Sequence, residues 1–204
     1  MELREALIQI AEIRQQMARG QVFRGYRAAT TAFSGFVAFV TAIVQWARQP
    51  GARDFVLLWA AAAGTCLLAV GIEMAIRTRR SSQVQRQLTL LAVEQFVPSI
   101  GAGGLLTWVF FTYLPVFLWM LPGLWMVVFS LGMFASARLL PRMVFAVAGF
   151  YLISGVAALL LSSGNTAAGE SLRFSPWLMG GVFGLGQMMT AGILYYTLER
   201  SHGG

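Results

Sequence analysis

Six apolar stretches of about 20 residues each, separated by short connections, fill most of the chain between residues 28 and 196. They run Ala28–Trp46, Phe55–Ile76, Leu88–Phe111, Leu114–Ala137, Met143–Leu161 and Pro176–Tyr196. A helix rises about 1.5 Å per residue, so about 20 residues cross a hydrocarbon core of roughly 30 Å. Lipid offers no partner to a free backbone N–H or C=O, and a helix pairs those groups within itself. The sequence therefore predicts an all-α integral membrane protein, a six-helix bundle over residues 28–198. Residues 1–27 precede it and a tail at 199–204 follows.

This layout leaves no loop able to hold a soluble catalytic domain, so any chemistry must sit within the bundle or at its mouths. Charged residues make up 11% of the chain, against roughly 25% in soluble domains. Cys66 and His202 are single, and the one aspartate, Asp54, falls in a loop. These counts exclude an intrachain disulfide, a His-rich zinc site and bis-histidine haem ligation. No GxSxG, HExxH, P-loop, GxGxxG or CxxC motif occurs. The expectation is a non-enzyme without metal or cofactor.

The net charge of +7 comes from 15 basic residues, all arginine. With the N-terminus inside, Arg4, Arg14, Arg19, Arg24, Arg27, Arg77, Arg79, Arg80, Arg86, Arg138, Arg142 and Arg200 are cytoplasmic. Only Arg48, Arg53 and Arg173 lie opposite. That asymmetry follows the positive-inside rule and places both termini in the cytoplasm. Trp46, Trp59, Trp108, Trp119 and Trp177 fall near the other ends of their spans, where indole favours the headgroup boundary. Basic residues inside and aromatic ones outside fit a bacterial inner-membrane protein; the basic charge serves topology rather than nucleic acid. Met1–Thr30 mixes glutamates with arginines, unlike a cleavable signal peptide.

Leu3, Leu7, Ile10, Ile13 and Met17 recur at helical spacing, so residues 1–27 are expected to contain an amphipathic helix. It fits either a helix lying on the cytoplasmic interface or a segment docking a partner, or a second copy, through residues 1–20. A shift of 54 residues aligns the third and fourth spans with the fifth and sixth, without gaps. Phe96, Gly101, Pro122 and Gly132 then match Phe150, Gly155, Pro176 and Gly186. A shift of two spans preserves orientation, so this is a parallel repeat of helical hairpins. Gly101, Gly104, Gly180 and Gly184 mark expected close helix packing, the last two forming GxxxG.

Glu94 is the outstanding polar residue, about 9 Å inside the third span as read from its Leu88 start. A carboxylate there is expensive unless it meets protein, water or a counter-ion. Pro98 lacks the N–H that would bond the Glu94 carbonyl, so one turn offers both a carboxyl and a freed carbonyl. Gln187, midway along the sixth span, is the expected neighbour. Two readings stand: a site for a cation or proton, or a neutral Glu94 hydrogen-bonded to a neighbour. Under the shift, Glu94, Pro98 and Gln187 correspond to Ala148, Leu152 and Met133, so any site is asymmetric. Glu73, one turn before Arg77, fits an end-of-helix ion pair.

Three stretches, QLTLLAVEQFVPSIGAGGLLT (87–107), LPGLW (121–125) and SPWLMGGVFGLGQ (175–187), resemble a group of small six-span bacterial membrane proteins with no assigned activity. The resemblance covers the chain from Gln87 onward and implies membrane class only. In hairpin repetition alone the chain is similar to bacterial acid-resistance membrane proteins, and no role is carried over from them. The expected function is a small transporter or channel for a cation, proton or small solute. The alternative is a non-transporting scaffold, regulatory or stress-related membrane protein acting through its N-terminal helix.

Overall fold

The computed structural model describes residues 28–80, 83–136, 141–164 and 167–199. The expected amphipathic helix and the tail beyond residue 199 lie outside these residues. Helix α1 spans Ala28–Arg48. It stops where Gln49 turns left-handed (φ 43°), with its amide still on the Gln45 carbonyl at 2.8 Å. Pro50 follows and cannot continue a helix. Helix α2, Ala52–Arg80, starts at once, Phe55 donating to the Gly51 carbonyl at 2.9 Å. Helix α3, Gln83–Tyr113, begins after only two further residues and continues through Pro98.

A 3-10 stretch with Pro115 at its head, Pro115–Met120, leads into α4, Leu121–Ser136. Helix α5 spans Val144–Ser163, and a short α6 spans Ala167–Leu172. Helix α7, Pro176–Leu194, starts with proline in its first turn, where the missing N–H has no partner to lose. A π-helical turn, Tyr195–Glu199, ends the described chain.

Six of these segments are long and apolar enough to cross a membrane, and their edges follow the hydropathy closely. The difference is at one end of α2 and α3. Both run several residues past their apolar stretches, because arginine and glutamine are good helix formers and extend a helix into water. The chain is thus an all-helical multipass membrane protein, with no strand among the described residues.

Around the bundle the helices follow the order α2, α1, α7, α5, α4, α3. The α1–α7 and α4–α5 pairs pack most extensively, α3 packs on α4, and α2 touches α3 least. Two clusters make the core. One joins Ala42, Phe55, Trp59, Leu118, Leu121 and Met179; the other joins Met133, Val144, Val147, Ala148 and Tyr151. Val182 and Phe183 pack against both, and Phe129 packs against the second, its ring 5.5 Å from Phe96, 5.0 Å from Tyr151 and 5.5 Å from Phe183 between centroids. Helix α3 stays outside: no residue of its apolar stretch Val93–Tyr113 is buried.

Candidate functional site

Three hairpins, α1–α2, α3–α4 and α5–α7, meet along three seams. In each seam the second helix of one hairpin lies beside the first helix of another. The α7/α1 seam is closed. A Cβ added to Gly180 would run into the Ala42 side chain, and one on Gly184 would sit 2.5 Å from the Phe39 ring. On Gly35 it would lie 3.1 Å from both the Gln187 Cβ and the Gly184 carbonyl oxygen. The α4/α5 seam is closed reciprocally: a Cβ on Gly123 would be 2.8 Å from the Gly155 carbonyl oxygen, and one on Gly155 equally close to that of Gly123. Absent side chains let the backbones touch, which is how helices gain contact that lipid cannot match.

The α2/α3 seam is different. Gly64 and Gly71 on α2, and Gly101 and Gly104 on α3, each have nothing within 4 Å of an added Cβ. At one end the seam is tied by Arg53, whose guanidinium lies 5.7 Å from the centre of the Phe111 ring. At the other, two residues join Arg80 to Gln83. Between these ties, Leu67, Leu68, Ile72, Val97 and Trp108 are exposed.

Glu94, Pro98, Gly101 and Gly104 share this open side of α3 and all are exposed. The opposite side of the helix meets α4. There Phe96 and Ser99 lie against Gly132, and Thr107 accepts a hydrogen bond from Trp125 Nε1 at 2.8 Å. Glu94 lies about 17 Å along α3 from its start at Gln83.

Gln187 is elsewhere. It is half-buried on α7, against Gly35 of α1, and α7 forms no extended contact with α3. The structure therefore brings Glu94, Pro98, Gly101 and Gly104 onto one face and does not bring Gln187 to them. Gly180 and Gly184 pack within the chain; Gly101 and Gly104 pack on nothing.

One polar cluster escaped the sequence reading. Gln45 is buried; its Nε2 donates to the Phe174 carbonyl at 2.6 Å, and its Oε1 accepts from Trp59 Nε1 at 2.8 Å. Arg173 closes the same end, donating from Nε to the Ser162 carbonyl at 3.1 Å and lying 5.4 Å from the centre of the Trp119 ring. An amide inside an apolar first span was the available signal. Its satisfied bonds read as structural. Ser130 and Ser136 are buried hydroxyls without a hydrogen-bond partner among the described residues. No group of three His, Cys, Asp or Glu residues gathers among the described residues.

The arrangement defines a class, a multipass membrane protein with two locked seams and one unlocked. No known family, curated protein or solved structure matches the chain.

Proposed function

We propose that this chain is a non-transporting interaction protein of a bacterial inner membrane, with both termini cytoplasmic, and that the α2/α3 seam is its interaction surface. The unlocked seam carries this reading: Gly64, Gly71, Gly101 and Gly104 face open space on two neighbouring helices, while Gly35, Gly180 and Gly184 close the α7/α1 seam and Gly123 and Gly155 the α4/α5 seam by touching backbone or side chain. Glycine on a transmembrane helix favours close approach, and this face leaves that approach unused. The aromatic packing around Phe129 supports binding at the side over passage through the centre. The N-terminal segment 1–20 remains a second candidate for docking, and a binding role requires no catalytic group.

Transport of a cation, proton or small solute is the second reading, carried by Glu94 beside the carbonyl that Pro98 frees. Cysteine accessibility separates the two. In a Cys66→Ser background, Gly101→Cys lies about 10 Å deeper than Glu94. The interaction reading expects no labelling of Gly101→Cys by a membrane-impermeant thiol reagent from either side. Labelling there would reveal a water-filled path and replace this reading with transport.

A further inference from the structure

Two repeats of seven residues mark the open seam. On α2, Leu57, Gly64 and Gly71 stand seven apart, and on α3, Glu94, Gly101 and Trp108 do the same. Gly64 is half-buried and the other five are exposed. A Cβ added to any of the three glycines would meet nothing within 4 Å. Seven residues make about two turns, so each set lines one side of its helix at steps of about 10 Å. That is the spacing a helix presents to another helix crossing it with a left-handed twist, the commoner geometry in membrane bundles. Glu94 gives this face its polarity. No other charged residue occurs on α3 from Glu94 to Tyr113, or on α2 between Asp54 and Glu73. Glu94 forms no hydrogen bond or ion pair among the described residues. A carboxylate on an apolar helix face gains most from a charged donor that arrives with the occupant.

We propose that the α2/α3 seam receives one transmembrane helix of a partner protein, and that this helix carries a lysine or arginine that pairs with Glu94. Small residues of the partner lie against Gly64 and Gly101, as Ala42 lies against Gly180 and Gly155 against Gly123 in the closed seams. Its basic residue then sits two turns from them, the distance from Gly101 to Glu94. Charge selects against the rival occupants. A second copy joined through the same face would bring Glu94 against Glu94, and an acyl chain offers the carboxylate no donor. The pairing rests on the interaction reading and gives the partner its chemistry.

The test uses the purified full chain in phosphatidylcholine bilayers and synthetic transmembrane peptides of about 20 residues, with binding read by fluorescence energy transfer. Each peptide is built of leucine and alanine with one central glycine. It carries a lysine two turns away, on the N-terminal or the C-terminal side in turn; the control has leucine there. One lysine peptide should bind about tenfold more tightly than the control, as for a strong interhelical polar contact. Glu94→Gln should abolish that preference and leave the control peptide unaffected. Glu94→Lys should reverse it, favouring a peptide with glutamate in place of lysine. Gly64→Leu with Gly101→Leu keeps the charge but fills the face, and should weaken every peptide. If the glycine pair does not fold, the two Glu94 variants still decide the matter.

Equal binding of the lysine and control peptides overturns the proposal and leaves the interaction reading standing. A lysine preference that survives Glu94→Gln overturns it too, since the attraction then lies elsewhere. So does loss of the preference when phosphatidylethanolamine is added, which would give Glu94 a lipid ammonium group instead of a helix. If no peptide binds and Gly101→Cys, with Cys66→Ser, crosslinks between copies, the occupant is a second copy and the interaction reading survives alone. Aqueous labelling of Gly101→Cys defeats both.

Discussion

Gly101 and Gly155 stand 54 residues apart at matched places in the repeat, yet their surroundings are opposite. Gly155 touches the Gly123 backbone across the α4/α5 seam, while Gly101 faces open space. The neighbours follow suit. Ala148 and Ala158 are buried at 0% and 3% exposure, and their matches Glu94 and Gly104 are exposed. A glycine permits close approach without causing it; the residues beside it decide. To close as α4/α5 does, the α2/α3 seam would carry Glu94 to the place where Ala148 is fully enclosed. Burying a carboxylate there without a partner is costly.

The contrast is broken most severely at the locked seams. Gly180→Val should remove the folded protein or lower its stability by at least ~3 kcal/mol, because the new atoms meet Ala42 on a helix that cannot yield locally. Denaturant titration in detergent measures this; a normally stable variant would mean that α1 and α7 do not touch there. Gly155→Ala comes next, at about 1–3 kcal/mol, its Cβ being 2.8 Å from a backbone oxygen. An unchanged melting temperature would put the α4/α5 seam on the same footing as the open one.

A third effect falls on the anchor that holds α2 to the bundle. Gln45→Leu strands the Trp59 N–H and the Phe174 carbonyl in a buried place, at about 1–3 kcal/mol for an unpaired group. Trp59 fluorescence should change with it. Gly101→Leu, by contrast, should leave stability within about 0.5 kcal/mol, as for surface positions generally. A large loss there would show that the seam is closed in the membrane.

Hydropathy made the six spans legible because bilayer thickness constrains each helix separately. The GxxxG at Gly180–Gly184 was legible as a packing face, and a neighbour in the same chain fills it. Pairing was not legible. Gly101 and Gly180 look alike in sequence, and only the fold distinguishes one that meets Ala42 from one that meets nothing. Gln187 illustrates the limit most clearly. Its depth suited a partnership with Glu94, but depth carries no information about azimuth, and α7 is committed to α1 and α5.

The smallest effect tests the cause of the difference. If Glu94 keeps the seam open, Glu94→Ala restores the residue type found at Ala148 and removes that obstacle. Arg53 lies over Phe111, and ten to eleven residues further along each helix bring Gly64 level with Gly101. In a Cys66→Ser background, disulfide crosslinking of Gly64→Cys with Gly101→Cys should be slow with Glu94 present and severalfold faster with Glu94→Ala. Stability should rise by no more than ~0.5 kcal/mol, since an exposed carboxylate is removed without a new buried contact being required. Equal crosslinking with either residue would place the cause outside Glu94. The remaining difference between the seams would then be the two-residue link at Arg80–Gln83, which restricts how α2 can approach α3.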